Sequence, residues 1–253
     1  MGRADTRVRC AVVSQPLQFE DLGFPDPEDD EFSDAPVDED SPSDEPEEET
    51  LDPAQAGFLD EIIKRILLFC EELSGVELRP YQQEFGYRIV ESIIIGDAEE
   101  LTGLWSRQSG KTETLADVLA GCMVLFPKLA LSFDMFARFK KGLWVGIFAP
   151  VDEQSDLLFS RIVSRLTSER AMDFLLDPEI DEKAEGKSKR MNLKSGSFCR
   201  RQTANPRAKI EGATYHVIVI DESQDADEQV VRKSIHPMLA AYAGTMVKIG
   251  TPG

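Results

Sequence analysis

A seven-residue stretch near the middle of the chain combines residue types that bind phosphate. Ser106-Arg107-Gln108-Ser109-Gly110-Lys111-Thr112 ends in a glycine, a lysine and a hydroxyl residue. Glycine lets the backbone approach a ligand closely, lysine offers positive charge to phosphate oxygens, and a threonine hydroxyl can ligate Mg²⁺. Backbone N–H groups at the start of a helix add partial positive charge. The stretch therefore predicts a triphosphate-binding loop that uses Ser106, Gln108, Ser109, Gly110, Lys111 and Thr112, with Thr112 also at the metal.

One glycine of the usual phosphate-binding loop is missing from this stretch. That loop has a glycine five residues before its Gly-Lys pair, and Trp105 occupies the position here, whereas Gly103 lies two residues earlier. Gly-Lys-Thr also occurs by chance at ordinary helix starts. Taken alone, the stretch does not decide between a phosphate-binding loop and an ordinary helix start.

A second motif lies about 110 residues downstream and supports the first. Val217-Ile218-Val219-Ile220 is a run of β-branched residues, typical of a central strand in a parallel sheet, and two acids follow it directly. Ligands bind where such strands end. Asp221 is therefore predicted in the Mg²⁺ shell, and Glu222 is predicted to orient or deprotonate the attacking water. Together, and in this order, the two motifs predict a site that hydrolyses ATP.

The residue pattern around these motifs alternates between helix and strand. Apolar residues at helical spacing predict helices from about Pro53 to Leu73 and from Pro80 onward, then over 111–125, 157–166 and 229–242. Apolar runs predict strands over 101–105, 143–148, 197–203, 217–220 and 245–249. This alternation predicts an α/β domain with a central, mostly parallel sheet, open or doubly wound, flanked by helices. With the two motifs added, the domain resembles the P-loop NTPases of the RecA/ASCE-like class.

The net charge of −19 is concentrated in one segment of the 253-residue chain. Of the 47 acidic residues, 17 lie between Glu20 and Asp52, which leaves 30 against the 28 Lys and Arg residues. The domain is therefore close to neutral, and its charge does not exclude nucleic acid as a partner. Acids, prolines and few apolar residues predict a disordered acidic tail over 1–53 and a folded domain over 54–253. The tail either keeps the chain soluble or imitates DNA in a basic groove or on a partner.

Two further classes of function are disfavoured by the composition. No apolar run approaches the ~18 residues that span a bilayer, so no membrane association is expected. The four cysteines are too widely spaced for a zinc site, which predicts reduced thiols instead.

The motifs together resemble those of the large terminase subunits of tailed bacteriophages, over roughly residues 75–253. Arg-Gln-Ser-Gly-Lys-Thr resembles their Walker A variant, which also lacks the early glycine, and Leu78-Arg79-Pro80-Tyr81-Gln82 resembles their adenine-recognising Q motif. Further stretches match in the family's order: Phe148-Ala149-Pro150 with Glu153-Gln154, Ile210-Glu211-Gly212-Ala213-Thr214 before the Walker B acids, and Ile249-Gly250-Thr251-Pro252 as the coupling motif.

The resemblance implies a motor that packages double-stranded DNA into a procapsid. It implies ATP and Mg²⁺ as ligands, Gln82 and Arg79 at the adenine, and Thr251 as a sensor of the γ-phosphate. Arg107 would stabilise the transition state or brace the loop, and Arg161 or Arg165 would act on a neighbouring subunit. The implied partners are a homo-oligomeric ring on a portal and the small terminase subunit, in the host cytoplasm. A C-terminal nuclease domain is expected in the family, and this chain stops before one.

Two other functions are compatible with the same residues. A superfamily-two helicase or translocase shares the Q motif and an Asp-Glu-x-Gln box, here Asp221 to Gln224. It would have a second RecA-like domain, and helicases of that kind commonly carry Ser-Ala-Thr where this chain has Gly250-Thr251-Pro252. A non-catalytic nucleotide-binding or DNA-binding adaptor is the other alternative. Glu222 argues against the adaptor, because binding alone needs no general base.

Overall fold

The computed structural model describes residues 23–24, 53–174, 181–185, 188–204 and 213–252. Most of the predicted acidic tail and the matching stretch at 210–212 lie outside these residues. Gly23 and Phe24 are described, and the Phe24 ring packs against the main hydrophobic core. In the described part of the chain, no helix is long and apolar enough to cross a membrane.

Seven strands form one sheet in the order β1-β7-β6-β2-β5-β4-β3. The strands are β1 (Glu100–Leu104), β2 (Trp144–Ala149), β3 (Asp181–Glu185), β4 (Ser188–Asn192), β5 (Phe198–Thr203), β6 (Val217–Ile220) and β7 (Thr245–Gly250). Neighbouring strands from β1 to β5 in this order pair in parallel, whereas β4 is antiparallel to both β5 and β3. The predicted α/β class with a mostly parallel sheet is confirmed.

The helices pack against the sheet from both sides. They are α1 (Pro53–Ser74), α2 (Pro80–Ile95), α3 (Lys111–Leu129), α4 (Asp152–Leu166), α5 (Glu169–Phe174) and α6 (Glu228–Val230). Val217 and Val219 of β6 belong to a core shared with α1 to α4, whereas Ile218 and Ile220 face a second core. A central strand that is buried on both faces explains the unbroken β-branched run in its sequence.

Four parts of the prediction are wrong in detail. Helix α4 begins at Asp152, five residues before its predicted start at 157. The helix predicted over 229–242 is α6 followed by a π-helix over Val231–Ile235 and a 3₁₀-helix over His236–Tyr242. Helix α3 continues to Leu129 with Pro127 in its last turn, beyond the predicted end at 125. The β3–β4 hairpin is absent from the prediction, because its two strands alternate charges rather than apolar residues.

Candidate nucleotide-binding site

The predicted phosphate-binding loop connects β1 to the first turn of α3. The Ser109 backbone N–H and hydroxyl both donate to the Ser106 carbonyl oxygen, at 3.3 and 2.6 Å. Gln108 and Gly110 have left-handed backbone conformations, with φ of 60° and 90°. A Cβ atom on Gly110 would lie 2.7 Å from the Gln82 amide nitrogen, so both its backbone angle and its surroundings favour glycine.

Lys111 lies where three separate parts of the chain meet. Its Nζ atom contacts a carboxylate oxygen of Glu222, lies 3.6 Å from Asp221 Oδ1, and donates to the Thr251 hydroxyl at 3.1 Å. These partners lie at the ends of β6 and β7, two neighbouring parallel strands. The structure therefore brings together Lys111 with the two predicted acids, and Thr251 joins them.

The pKa values of the two acids in this cluster shift in opposite directions. Desolvation raises the pKa of Asp221 above its ordinary value, although Lys111 opposes the change. Burial would also raise the pKa of Glu222, but the hydrogen bonds from Gln224 and Lys111 outweigh it and lower the pKa. Glu222 is therefore held as a carboxylate, the form that accepts a proton.

The backbone at Glu222 turns sharply to direct its side chain. Its φ of 49° lies in the left-handed region that non-glycine residues rarely adopt, and its N–H donates to Asp221 Oδ1 at 2.9 Å. Such backbone strain occurs mainly at functional sites, where the surrounding contacts maintain it. The turn places the carboxylate beside Lys111 instead of along the strand direction.

A cleft of about 740 Å³ opens beside the loop. Arg79, Ser106, Arg107, Gln108 and Ser109 line it, together with aromatic residues and two more charged side chains: Tyr81, Phe85, Trp105, Glu84 and Arg88. Its volume lies in the range of small-molecule sites. The cleft therefore has room for a small molecule directly beside the loop.

Residues of the predicted Q motif are connected to the loop by hydrogen bonds. Gln82 is buried, and its side-chain oxygen accepts from the Arg79 backbone N–H at 2.8 Å. The Arg79 guanidinium donates to the Tyr81 hydroxyl at 3.2 Å, and that hydroxyl donates to the Ser109 carbonyl at 2.8 Å. This chain of bonds connects α2 to the phosphate-binding loop. A direct contact of Gln82 or Arg79 with adenine stays a prediction.

The candidate arginines occupy different environments. Arg107 is exposed at the cleft. Arg161 contacts Glu113 at 2.6 Å, and Arg165 contacts Glu113 at 2.5 Å and Asp117 at 2.7 Å. Because Arg165 joins two carboxylates of α3, its position favours bracing α3 against α4 over reaching a neighbouring subunit. The Arg161 side chain is 34% exposed and is the more accessible of the two.

The structure adds residues that the motifs do not assign to the site. Gln224 donates to the second oxygen of Glu222 at 2.7 Å. The Gly250 carbonyl accepts from the Trp105 backbone N–H at 3.1 Å, which fixes the start of the loop to the end of β7. The sequence signal for Gln224 is its place in the Asp-Glu-x-Gln box, which does not reveal its partner.

The fold is the feature that known proteins share with this chain. No family model and no curated protein sequence matches it. Two crystal structures of the large terminase ATPase domain of Thermus phage P74-26, one a point mutant, match with 21% identity and a TM-score of 0.51. Each match covers 72% of this chain and 68% of the terminase chain. The large terminase of bacteriophage HK97 matches with 16% identity and a TM-score of 0.54, over 74% of this chain and 37% of its own.

This chain has the fold of a large terminase ATPase domain. The predicted resemblance is thereby confirmed at the level of architecture. At identities of 16–21% the terminase fold by itself assigns no activity, so the activity has to follow from the site.

Proposed function

We propose that this chain binds and hydrolyses ATP as the motor domain of a phage large terminase and drives double-stranded DNA into a procapsid. One observation carries the proposal: the Lys111 ammonium lies among Asp221, Glu222 and Thr251, although these residues are 110 to 140 positions away in the sequence. A lysine, two carboxylates and a hydroxyl at the C-terminal edge of a parallel sheet are the groups that phosphoryl transfer from a nucleotide needs.

Each side chain has a defined task in the proposed reaction. Lys111 would leave its carboxylate partners and bind the β- and γ-phosphate oxygens. Glu222 would then accept a proton from the water that attacks the γ-phosphorus. The bond between the γ-phosphorus and the bridging oxygen breaks, and ADP and phosphate leave. Thr251 would sense the γ-phosphate, and Arg107 would offer positive charge to the transition state from the cleft.

The residues fit a magnesium ion that binds together with the nucleotide. Thr112 and Asp221 supply a hydroxyl and a carboxylate oxygen, which are hard donors of the kind that Mg²⁺ prefers. No group of three or more His, Cys, Asp and Glu residues that could hold a metal occurs in the described part of the chain. The ion would take its other ligands from phosphate and water. The ion would supply charge neutralisation at the phosphates.

The cleft and the domain boundaries complete the proposal. Ser106, Gln108, Ser109 and Gly110 would surround the phosphates, and Gln82 and Arg79 would recognise the adenine from α2. Residues 54–253 would form the ATPase domain, and residues 1–53 an acidic tail. The partners would be DNA, further copies of the chain in a ring on the portal, and the small terminase subunit.

ATP turnover of the chain, with and without duplex DNA, tests the proposal. Glu222→Gln removes the general base and should lower kcat at least 100-fold, and Lys111→Ala should abolish nucleotide binding. Glu228→Gln and Lys140→Ala are matched controls, because both side chains are exposed and lie outside the cleft and the lysine cluster. These controls should keep wild-type turnover, and duplex DNA should stimulate the wild type.

Each alternative function has its own outcome in this experiment. Full turnover in Glu222→Gln would contradict hydrolysis at this site. Tight ATP binding without turnover in the wild type, with or without DNA, would instead indicate the non-catalytic adaptor. ATP-dependent separation of DNA strands would indicate the helicase, whereas turnover indifferent to DNA would contradict the DNA motor.

A further inference from the structure

The Glu222 carboxylate is held from two sides in the structure. Lys111 contacts Oε1, and the Gln224 amide donates to Oε2 at 2.7 Å. The position of the proposed general base is therefore set by two side chains, and the first of them is also the proposed phosphate ligand.

A short turn fixes Gln224 in its place. Ser223–Asp225 form a single 3₁₀ turn after β6, closed by a hydrogen bond of 3.0 Å from the Asp225 N–H to the Glu222 carbonyl. This turn directs the Gln224 side chain back over the carboxylate of Glu222. A residue two positions after the base thereby reaches the side-chain oxygen that Lys111 does not contact.

The other end of the same carboxamide lies against the end of β7. A Cβ atom on Gly250 would lie 2.4 Å from the Gln224 side-chain oxygen, so the bare α-carbon of glycine makes room for it. Gly250 precedes Thr251, and its carbonyl accepts from the backbone N–H of Trp105, the residue directly before the predicted phosphate-binding loop. One carboxamide thus connects the base to the strand end that carries the predicted γ-phosphate sensor.

The contacts of Lys111 change when it turns to phosphate. When the Lys111 ammonium binds phosphate oxygens, it holds the Glu222 carboxylate less strongly. Its contribution to the position of the base therefore falls. The Gln224 amide is neutral and is not drawn to the phosphates. It keeps its hydrogen bond to Oε2 while Oε1 becomes available to water.

We propose that Gln224 is a positioning residue that holds the Glu222 carboxylate in its water-activating orientation after Lys111 has moved to the nucleotide. This inference rests on the proposed function, because it concerns the base of the same reaction. Gln224 acts through Glu222 and not on the substrate. Its loss should therefore slow turnover and leave ATP binding unchanged.

Steady-state ATPase kinetics and equilibrium binding of Mg-ATP to the whole chain test this inference. Gln224→Glu keeps the size of the side chain but replaces the donor with a negative charge, and Gln224→Leu removes both polar atoms. The loss of a hydrogen bond to a charged group should lower kcat roughly 10- to 100-fold, with KM and the binding constant within about threefold of wild type. The Gln224→Glu variant should lose more than Gln224→Leu, because it adds repulsion.

Gln229 provides the matched control, since it is an exposed glutamine in the next helical segment. Gln229→Glu and Gln229→Leu should retain wild-type kcat and KM. Thermal unfolding should give the same midpoint for all four variants, because Gln224 is also exposed. A purely structural role would instead lower the midpoint and weaken binding and turnover together.

Two kinds of failure are distinguishable. If the wild type turns over ATP, Glu222→Gln does not, and both Gln224 variants keep kcat within twofold of wild type, the inference about Gln224 is wrong and the proposed function stands. The inference is equally wrong if the Gln224 variants lose ATP binding in proportion to turnover. If the wild type and Glu222→Gln are equally slow, both the proposed function and this inference are wrong.

Discussion

Thr251 is the neutral partner of Lys111, the proposed phosphate ligand. Its hydroxyl accepts a hydrogen bond from Lys111 Nζ at 3.1 Å. Because the hydroxyl is neutral, it stabilises the ammonium without competing with phosphate for it, as a carboxylate does. Thr251→Val keeps the shape of the side chain and removes the hydroxyl. We expect kcat to fall roughly 10- to 100-fold, because a hydrogen bond to a charged group contributes about 1.5–3 kcal/mol.

The matched variant at this position is Thr251→Ser, which keeps the hydroxyl and loses the methyl group. Turnover in this variant should stay within about threefold of the wild type, measured as phosphate release at saturating ATP. Equal losses in the valine and serine variants would show that the methyl group, and not the hydroxyl, matters at the site.

Trp105 shows why one residue of the loop is easily misjudged from its sequence. It occupies the place of the usual early glycine, which weakens the prediction of a phosphate-binding loop. The structure buries its indole ring between Tyr81 and Phe85, at centroid distances of 5.3 and 5.4 Å. Gly103 makes room for it, because a Cβ atom there would lie 2.6 Å from the indole nitrogen. The space for the Trp105 ring comes from Gly103, two positions earlier in the sequence. The loop motif alone therefore does not reveal that a tryptophan fits there.

At the scale of helices, α3 and α4 are joined by a partly buried cluster of ion pairs. The Arg165 guanidinium contacts Glu113 and Asp117, which lie one turn apart on α3. Asp117 is fully buried, and one of its oxygens has no hydrogen-bond partner. Desolvation raises the pKa of Asp117 to about 6, although Arg165 opposes the change. Helix α3 therefore carries a carboxyl group whose pKa lies near 6, above the usual range of aspartate.

This pKa predicts how stability depends on pH. A carboxyl group with a higher pKa in the folded state stabilises the fold at pH values below its unfolded pKa of 3.8, and that contribution is lost as the pH rises through about 6. Relative to Asp117→Asn, which cannot titrate, the wild type should lose up to roughly 3 kcal/mol of unfolding free energy between pH 4 and pH 7. Urea unfolding of both proteins across this range measures the difference. A difference that stays constant or rises with pH would contradict the assignment.

Two glycines on helices predict opposite changes in stability. Gly121 of α3 lies against α1, and a Cβ atom there would meet the Cys70 sulfur at 2.3 Å and the Cys70 α-carbon at 3.1 Å. Gly57 of α1 has nothing within 4 Å of its Cβ position. Gly121→Ala should therefore lower the unfolding free energy by about 1–2 kcal/mol, because overpacking exceeds the gain in helix propensity. Gly57→Ala should raise it by about 0.5–1 kcal/mol.

Urea unfolding of the two alanine variants beside the wild type checks this pair. The Gly57 variant is the control for the general effect of alanine in a helix. A rise in stability for both variants would show that α1 and α3 separate easily at Cys70.

The sequence predicted the helices and strands whose apolar residues recur at a regular helical or strand spacing. It did not predict the strands that are held in the sheet mainly by backbone pairing with a neighbouring strand. Helices α1 and α2 and strands β6 and β7 begin within one residue of their predicted positions. The β3–β4 hairpin has no such period, since only Met191 of β4 is a buried apolar residue, and its register comes from pairing with β5. The predicted helix over 229–242 changes its hydrogen bonding at Val231 and again at His236, next to Pro237. Proline lacks an N–H, so a continuous α-helix is disfavoured there.

At the scale of the whole molecule, the sheet order explains why two weak motifs were enough to predict a site. Strand β7 lies between β1 and β6, so the end of β1, the acids after β6 and Thr251 after β7 meet at one edge. The sequence supplied the residues and their order along the chain. The placement of β7 between the other two strands follows from the packing of both sheet faces, which a motif does not encode. Gln224 was left without a role for the same reason.

A nucleotide bound at this edge would link parts of the chain that are distant in sequence, so binding should stabilise the entire domain. At 100 times its dissociation constant, a ligand adds about 2.7 kcal/mol to the stability of the folded state. For a domain of this size the gain corresponds to a rise in Tm of roughly 5–10 °C. We expect this rise with Mg²⁺ and a non-hydrolysable ATP analogue, in wild type and in Lys140→Ala. Lys111→Ala should show almost none, because it lacks the charge on which the phosphates depend. Differential scanning calorimetry measures the shift, and an equal rise in Lys111→Ala would mean that the nucleotide binds elsewhere, which would separate the cluster around Lys111 from any ATP-binding activity of the chain.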